Sequence, residues 1–315
     1  MLDISRPSGV IKSVPEHFIV REIAQGRILQ PVQQTRTRKP AGRYTKFLLT
    51  KRNMPAELAY NEIARQLAVE RSAITSYGQK DAVALTAQLI VIEGEYQSTF
   101  NHDRIWLQQL GKAPFPLKNG QQDGNHFSIH VCSSANSAPK ADRFLNLFGP
   151  QRFGDGRIGV GRMLLEGDFE QAADLLFDSM NGSALKNAMD RHGISAVDAM
   201  LTDDFAHARA WKILQWQSHL WNHVAKGSDE RYLPMWQPET ADYYYDLWAP
   251  NSVDAEMLEH THQFTRDVWA QVKDHHVYKK NNGFLHQFSI RSGAYATQFL
   301  DTLYDCTDAS REKYK

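Results

Sequence analysis

The segment Tyr77-Gly78-Gln79-Lys80-Asp81-Ala82-Val83-Ala84-Leu85-Thr86-Ala87-Gln88 carries the chain from a helix into a strand. Before it, residues 57–69 set Leu58, Ile63 and Leu67 near helical spacing, with Pro55 close to the start. After it, Gln88 to Glu93 is a short apolar run of strand type. Gly78 permits a turn, Lys80 and Asp81 meet at its bend, and Thr86 and Gln88 alternate into the strand. Taken alone, such an aspartate is a turn residue or a helix cap.

Outward from this segment the elements change character along the chain. Short runs rich in Ile, Val, Leu and Phe, bounded by Gly, Pro, Asn or charge, predict strands over 17–23, 46–52, 88–93 and 126–132. Beyond Gly156 the pattern predicts helices over 168–180, 195–200, 206–224 and 254–272, with an aromatic, Pro-containing loop at 231–250. A strand returns over 284–290, followed by a helix over 295–303. Strands, then helices, then a strand and helix again predict an α+β fold with a mostly helical insertion.

Composition narrows the function classes. Of the 315 residues, 42% are hydrophobic and 23% charged, which supports a packed core. No apolar run reaches the roughly 20 residues of a membrane span, and MLDISRPSGV has no apolar signal core, so the expectation is a cytoplasmic chain without membrane contact. Cys132 and Cys306 are too few for a disulfide framework or a zinc ribbon. The 36 basic and 36 acidic side chains cancel, but not locally. Between Ile23 and Ala56 stand Arg27, Arg36, Arg38, Lys39, Arg43, Lys46, Lys51 and Arg52 with no acid, whereas nine acids face only Arg231 and Arg266 from Asp229 to Asp267. That asymmetry points to a polyanion bound on one face, or to a solvated basic loop.

Three patterns are weak signals. Gly154 to Gly159 fits G-x-G-x-x-G, but Phe148-Gly149-Pro150 is poor material for the strand that a dinucleotide site requires. The pairs His260/His262 and His275/His276 lack ligand spacing and read as surface histidines, so no metal is expected. Trp236, Tyr243, Tyr244, Tyr245 and Trp248 read as a satellite core under the long loop, because the acids around them oppose phosphate.

The segment at Asp81 gains weight from its company. Gly9-Val10-Ile11-Lys12 precedes Pro15-Glu16-His17-Phe18; Asn125-His126-Phe127 follows, then Asn146-Leu147-Phe148-Gly149-Pro150-Gln151-Arg152-Phe153-Gly154. Together these resemble the TruD family of pseudouridine synthases, whose G-x-K-D-x-x-A-x-T-x-Q signature is matched at Gly78, Lys80, Asp81, Ala84, Thr86 and Gln88. Gln217 to Asn222 is similar to the family's Q-S-x-L-F-N helix, with Trp221 for Phe. Phe288 to Thr297 is similar to its F-x-L-P-x-G-S-Y-A-T segment, with Arg291 for Pro. Gly42-Arg43-Tyr44 departs from the usual Gly-x-His, and residues 229–250 match nothing familiar in the family.

The resemblance implies a pseudouridine synthase fold, a mixed and largely antiparallel sheet flanked by helices. It places the catalytic domain at 1–156 and 278–315 and a TRUD-type insertion at 157–277. It implies an isomerase acting on RNA, with uridine-13 in the D arm of tRNA as the usual bacterial target, without a cofactor and as a monomer. Asp81 becomes the catalytic carboxylate, Lys12 its basic partner, and Lys80 and Asn125 supporting residues. Phe127 becomes the ring beside a flipped base; without the motif it reads as core. Arg38, Lys39, Arg43, Lys46, Arg52 and Arg152 become RNA contacts, Arg152 touching phosphate or locking its loop. The alternative is a catalytically idle RNA-binding protein on the same fold, against which the retained Asp81, Lys80, Asn125 and Phe127 argue.

Overall fold

The computed structural model describes residues 6–30, 42–96, 100–154, 156–177, 182–259, 261 and 263–312. Arg36, Arg38, Lys39, His260 and His262 lie outside them. The chain divides into two compact units, Met1–Phe144 with Ala270–Lys315, and Leu145–Trp269. The division falls after Phe144 and Trp269, rather than after 156 and 277 as the sequence suggested. Physically, Lys273–Lys280 pairs with Gly283–Arg291 in the sheet of the first unit, so 273–277 belongs with that unit.

The first unit is built on one sheet. In chain order its strands begin with β1 (Ser8–Ile11), β2 (Phe18–Ala24), β3 (Arg27–Ile28), β4 (Tyr44–Arg52) and β5 (Ile74–Ser76). They continue with β6 (Leu85–Glu93), β7 (Phe100–His102), β8 (Ile105–Ala113) and β9 (Gly124–Cys132). The hairpin Lys273–Lys280/Gly283–Arg291 extends it, giving the spatial order 273–280, 283–291, β9, β2, β6, β4, β8, β7. β2 runs parallel to β6, and β1 parallel to the strand Asp305–Asp308. The ladders β2–β9, β4–β6, β4–β8 and that from β9 to 283–291 are antiparallel, so the sheet is mixed and largely antiparallel.

Two helices cover the face from which Phe47, Leu49, Ile90, Phe127 and Phe288 project. Helix Ala56–Leu67 buries Ala59, Tyr60 and Ile63 there, packed with Phe47, Leu49, Ile90 and Ile92. Leu58 instead points to solvent at 57% exposure, so the buried stripe is the Ala59/Tyr60/Ile63 one. Helix Ala296–Leu303 packs Phe299 and Leu300 with Phe127, Ile129 and Phe288.

Two sequence expectations fail, and one strand went unforeseen. Residues 254–272 are not a helix but a 3-10 turn, Ala255–Leu258, followed by strands Thr265–Asp267 and Trp269–Gln271. Arg266, Val268 and Ala270 are buried while Thr265, Trp269 and Gln271 are exposed, a period of two that a helix would not produce. The strand Lys273–Lys280 escaped the sequence reading because an edge strand can be polar on both faces, and its lysines guard that edge. His275 is not a surface histidine: its Nε2 lies 3.0 Å from Nδ1 of His286.

The second unit is mainly helical. Gly159–Glu166, Phe169–Phe177, Gly182–His192, Ala196–Leu201 and Ala206–Ala225 surround a core holding Leu164, Leu176, Phe205 and Leu220. Trp236, Tyr244 and Trp248 belong to this main core rather than to a satellite, while Tyr243 and Tyr245 are exposed. Gly154 to Gly159 follows a 3-10 turn, Pro150–Arg152, not the strand a dinucleotide site needs.

Candidate active site

The turn bearing Asp81 lies on the helix-covered face of the sheet, and the ladder registers define its floor. Residues opposite one another on neighbouring strands share a face. Lys51 pairs with Thr86, Thr86 with Val20, Val20 with Phe127 and Phe127 with Phe288, forming one row. The next row on that face runs Leu49, Gln88, Glu22, Asn125, Ile290. Polar residues from β4, β6, β2 and β9 thus gather beneath residues 77–84.

Those residues hold the turn down. Gln88 Nε2 donates to the Gly78 carbonyl at 3.3 Å and to the Tyr60 hydroxyl at 2.8 Å. Tyr60 donates to Ser76 Oγ, which also receives the Gly78 N–H. Gly78 sits at φ +142°, a conformation that side-chain-bearing residues avoid. Lys80 Nζ lies 2.8 Å from Oε2 of Glu22, both groups buried, and Glu22 Oε1 accepts the Leu89 N–H at 3.0 Å. An ion pair so enclosed is costly to break from either side, which fixes the backbone before Asp81.

Asp81 itself is held through two different atoms. Lys51 Nζ donates to its main-chain carbonyl at 2.6 Å, and Lys12 Nζ to its carboxylate Oδ1 at 2.9 Å. Lys12 adopts φ +58°, is 5% exposed, and stands 4.4 Å over the Phe18 ring and 3.6 Å from Oδ2 of Asp308. The Asp81 side chain remains 21% exposed. A small pocket opens beside Lys12, lined also by Ser13, Val14, Pro15, Asn53, Val83 and Ser310. Burial pushes the Lys51 ammonium down to about 8; nearby Lys80 adds to this and Asp81 opposes it.

Asn125 presents a buried Oδ1 without a hydrogen-bond partner, in the row of Glu22. Phe127 is 5% exposed, stacked on Phe288 at 5.4 Å and edge-on to Phe18 at 6.1 Å, so its ring is core of this face. Lys51, grouped by sequence with the basic stretch, is fully buried under Asp81 and cannot meet a phosphate. Arg43 is exposed and paired with Glu93, Arg52 is exposed and paired with Glu16, and Lys46 is half-buried on β4. Arg152 belongs to the second unit, its guanidinium 5.0 Å from the rings of Phe148 and Trp211. Sequence reasoning missed Glu22, Asn53 and Asp308, which reach the site from distant points of the chain.

Comparison with known proteins agrees with this architecture. The family model for TruD, tRNA pseudouridine synthase D, matches residues 1–211. "Probable tRNA pseudouridine synthase D" of Nanoarchaeum equitans is 34% identical over 179 residues, covering 53% of this chain and 47% of that protein. The protein of the same name from Pyrococcus furiosus is 35% identical over 180 residues, covering 53% and 41%. The chain thus spans about half the length of the curated relatives it matches, or less. A TruD crystal structure from Methanosarcina mazei superposes with a TM-score of 0.59 at 18% identity, over 97% of this chain and 95% of that one, a likeness of fold. With two-thirds of its residues matched by the family model, the chain belongs to the TruD family.

Proposed function

We propose that this chain is a tRNA pseudouridine synthase, that it acts on uridine-13 of the D arm, and that Asp81 is its catalytic carboxylate. The reaction breaks the N1–C1′ bond of uridine, turns the base and rejoins it through C5, whose proton is lost to replace the one taken up at N1. Atoms and electrons balance without a redox partner, so the proposed chemistry requires no nucleotide cofactor. Asp81 acts as nucleophile at the ribose or as the base that removes a ribose proton; either role needs it ionised. What carries the reading is the Lys12–Asp81 ion pair at 2.9 Å on a turn pinned from three strands. A neighbouring cation favours the ionised carboxylate.

Uridine in folded RNA must leave its stack at a cost of a few kcal/mol before such chemistry. In this proposal the pocket beside Lys12 admits the nucleotide. The unsatisfied Asn125 carbonyl is a hydrogen-bond acceptor for it, and Phe127 supports the pocket through the core. Lys80 positions the turn through Glu22. The experiment is chemical mapping of pseudouridine in tRNA incubated with the chain. The expected result is a new pseudouridine at position 13 of the D arm. Modification elsewhere would reassign the target, and none on any RNA would favour an idle binder.

A further inference from the structure

We propose that His17, His130 and Cys132 form a binding site for a transition-metal ion of borderline softness, best suited to Zn2+. His130 and Cys132 lie two apart on β9 and so share a face of the strand. The antiparallel register Phe18↔Ile129 brings the residue before Phe18 beside His130, and that residue is His17. The two imidazole centroids are 4.5 Å apart, and Cys132 Sγ lies 3.7 Å from His130 Nδ1. One ligand atom from each residue falls within 4.8 Å of the others. Tetrahedral Zn2+, with nitrogen at about 2.0 Å and sulfur at about 2.3 Å, separates its ligands by roughly 3.5 Å. Side-chain rotations of about 1 Å therefore close the set.

Independent features point to a ligand here. His17 Nδ1 is buried without a hydrogen-bond partner, an acceptor or donor with nothing to satisfy it. Asn282 Nδ2 donates to Cys132 Sγ at 3.6 Å, the outer-shell support a metal-bound thiolate uses. His17, His130, Lys280, Asn281, Asn282 and Leu285 line a pocket through which an ion and a fourth, water ligand can enter. Lys280 is exposed, so solvent screens its charge. On binding, the Cys132 S–H bond breaks, its proton passes to solvent and a metal–sulfur bond forms.

Occupancy would tie the Pro15–His17 turn to β9, at the end of the segment that also carries Lys12. The proposed isomerisation does not use the ion, so the site stands or falls apart from that reading. The test titrates Co2+ into the reduced, chelator-stripped full chain. One equivalent should produce a thiolate-to-cobalt band in the near ultraviolet. Cys132→Ser should abolish the band, His17→Ala should weaken binding about tenfold or more, and Cys306→Ser should change neither. On the unaltered chain, Zn2+ should slow alkylation of Cys132 but not of Cys306. No band, a band lost in Cys306→Ser instead, or a Cys132 that Zn2+ leaves unprotected would each overturn the site.

Discussion

Asp81 owes its placement to two lysines that act on different atoms, and their environments set different duties. Lys12 meets the carboxylate at the edge of an open pocket, whereas Lys51 is sealed beneath the main chain. Burial lowers Lys51 from 10.5 to about 8, so a cost of holding it charged is fully present below pH 8. Between pH 8 and 10.5 the folded chain sheds this proton first while the unfolded chain keeps it, so the contribution to stability becomes more favourable as pH rises. The change amounts to roughly 3 kcal/mol at most. The unfolding free energy from denaturant titration should therefore be larger at about pH 9.5 than at about 7.5, by an increment that Lys51→Met lacks; an equal increment in both proteins would remove this role from the lysine. The sequence could not separate the two lysines, because the charge run from Arg27 to Arg52 looks uniform until β4 turns one member inward.

At the scale of elements, the turn 77–84 was legible because several of its anchors lie in it or in the neighbouring helix and strand. Gly78 supplies the backbone conformation, Gln88 reaches back to the Gly78 carbonyl, and Tyr60 comes from the adjoining helix. Glu22 was not legible: its bond to Lys80 exists only because β2 lies parallel to β6, a pairing no local pattern announces. Residues 254–272 failed for the opposite reason, since charged and aromatic residues at mixed spacing imitate a helix until their burial reveals alternation. Gly78→Ala tests the turn. At φ +142° the added Cβ brings backbone strain of roughly 1–3 kcal/mol, while its contact with Asn119 Oδ1 at 2.8 Å can relax by side-chain rotation. Unfolding free energy should fall by that amount and activity on tRNA should fall further; an unchanged midpoint and rate would mean the turn is not held as described.

Across the whole molecule, the family and its sheet architecture were visible in ordered motifs, while the unit boundary was not. The sequence placed it after Gly156, where strands give way to helices, but the packing changes partner earlier, at Phe144. In three dimensions the basic stretch is partly neutralised. Arg43 and Arg52 already hold Glu93 and Glu16, so an RNA must replace those pairs to recruit them. Exposed pairs of this kind contribute about 0–1 kcal/mol, so a phosphate displaces them readily. Affinity for tRNA should accordingly fall roughly tenfold to a hundredfold between about 50 and 200 mM salt, as a few phosphate contacts require. A flat response would remove the basic stretch from the interface. The most direct test of the central claim is single-turnover pseudouridine formation on tRNA by Asp81→Asn, with tRNA binding measured in parallel. With Asp81 as the catalytic carboxylate, no detectable product is expected and an affinity within about threefold of the unaltered chain, since one carboxylate adds little to phosphate contacts. Product formation at the normal rate would contradict it.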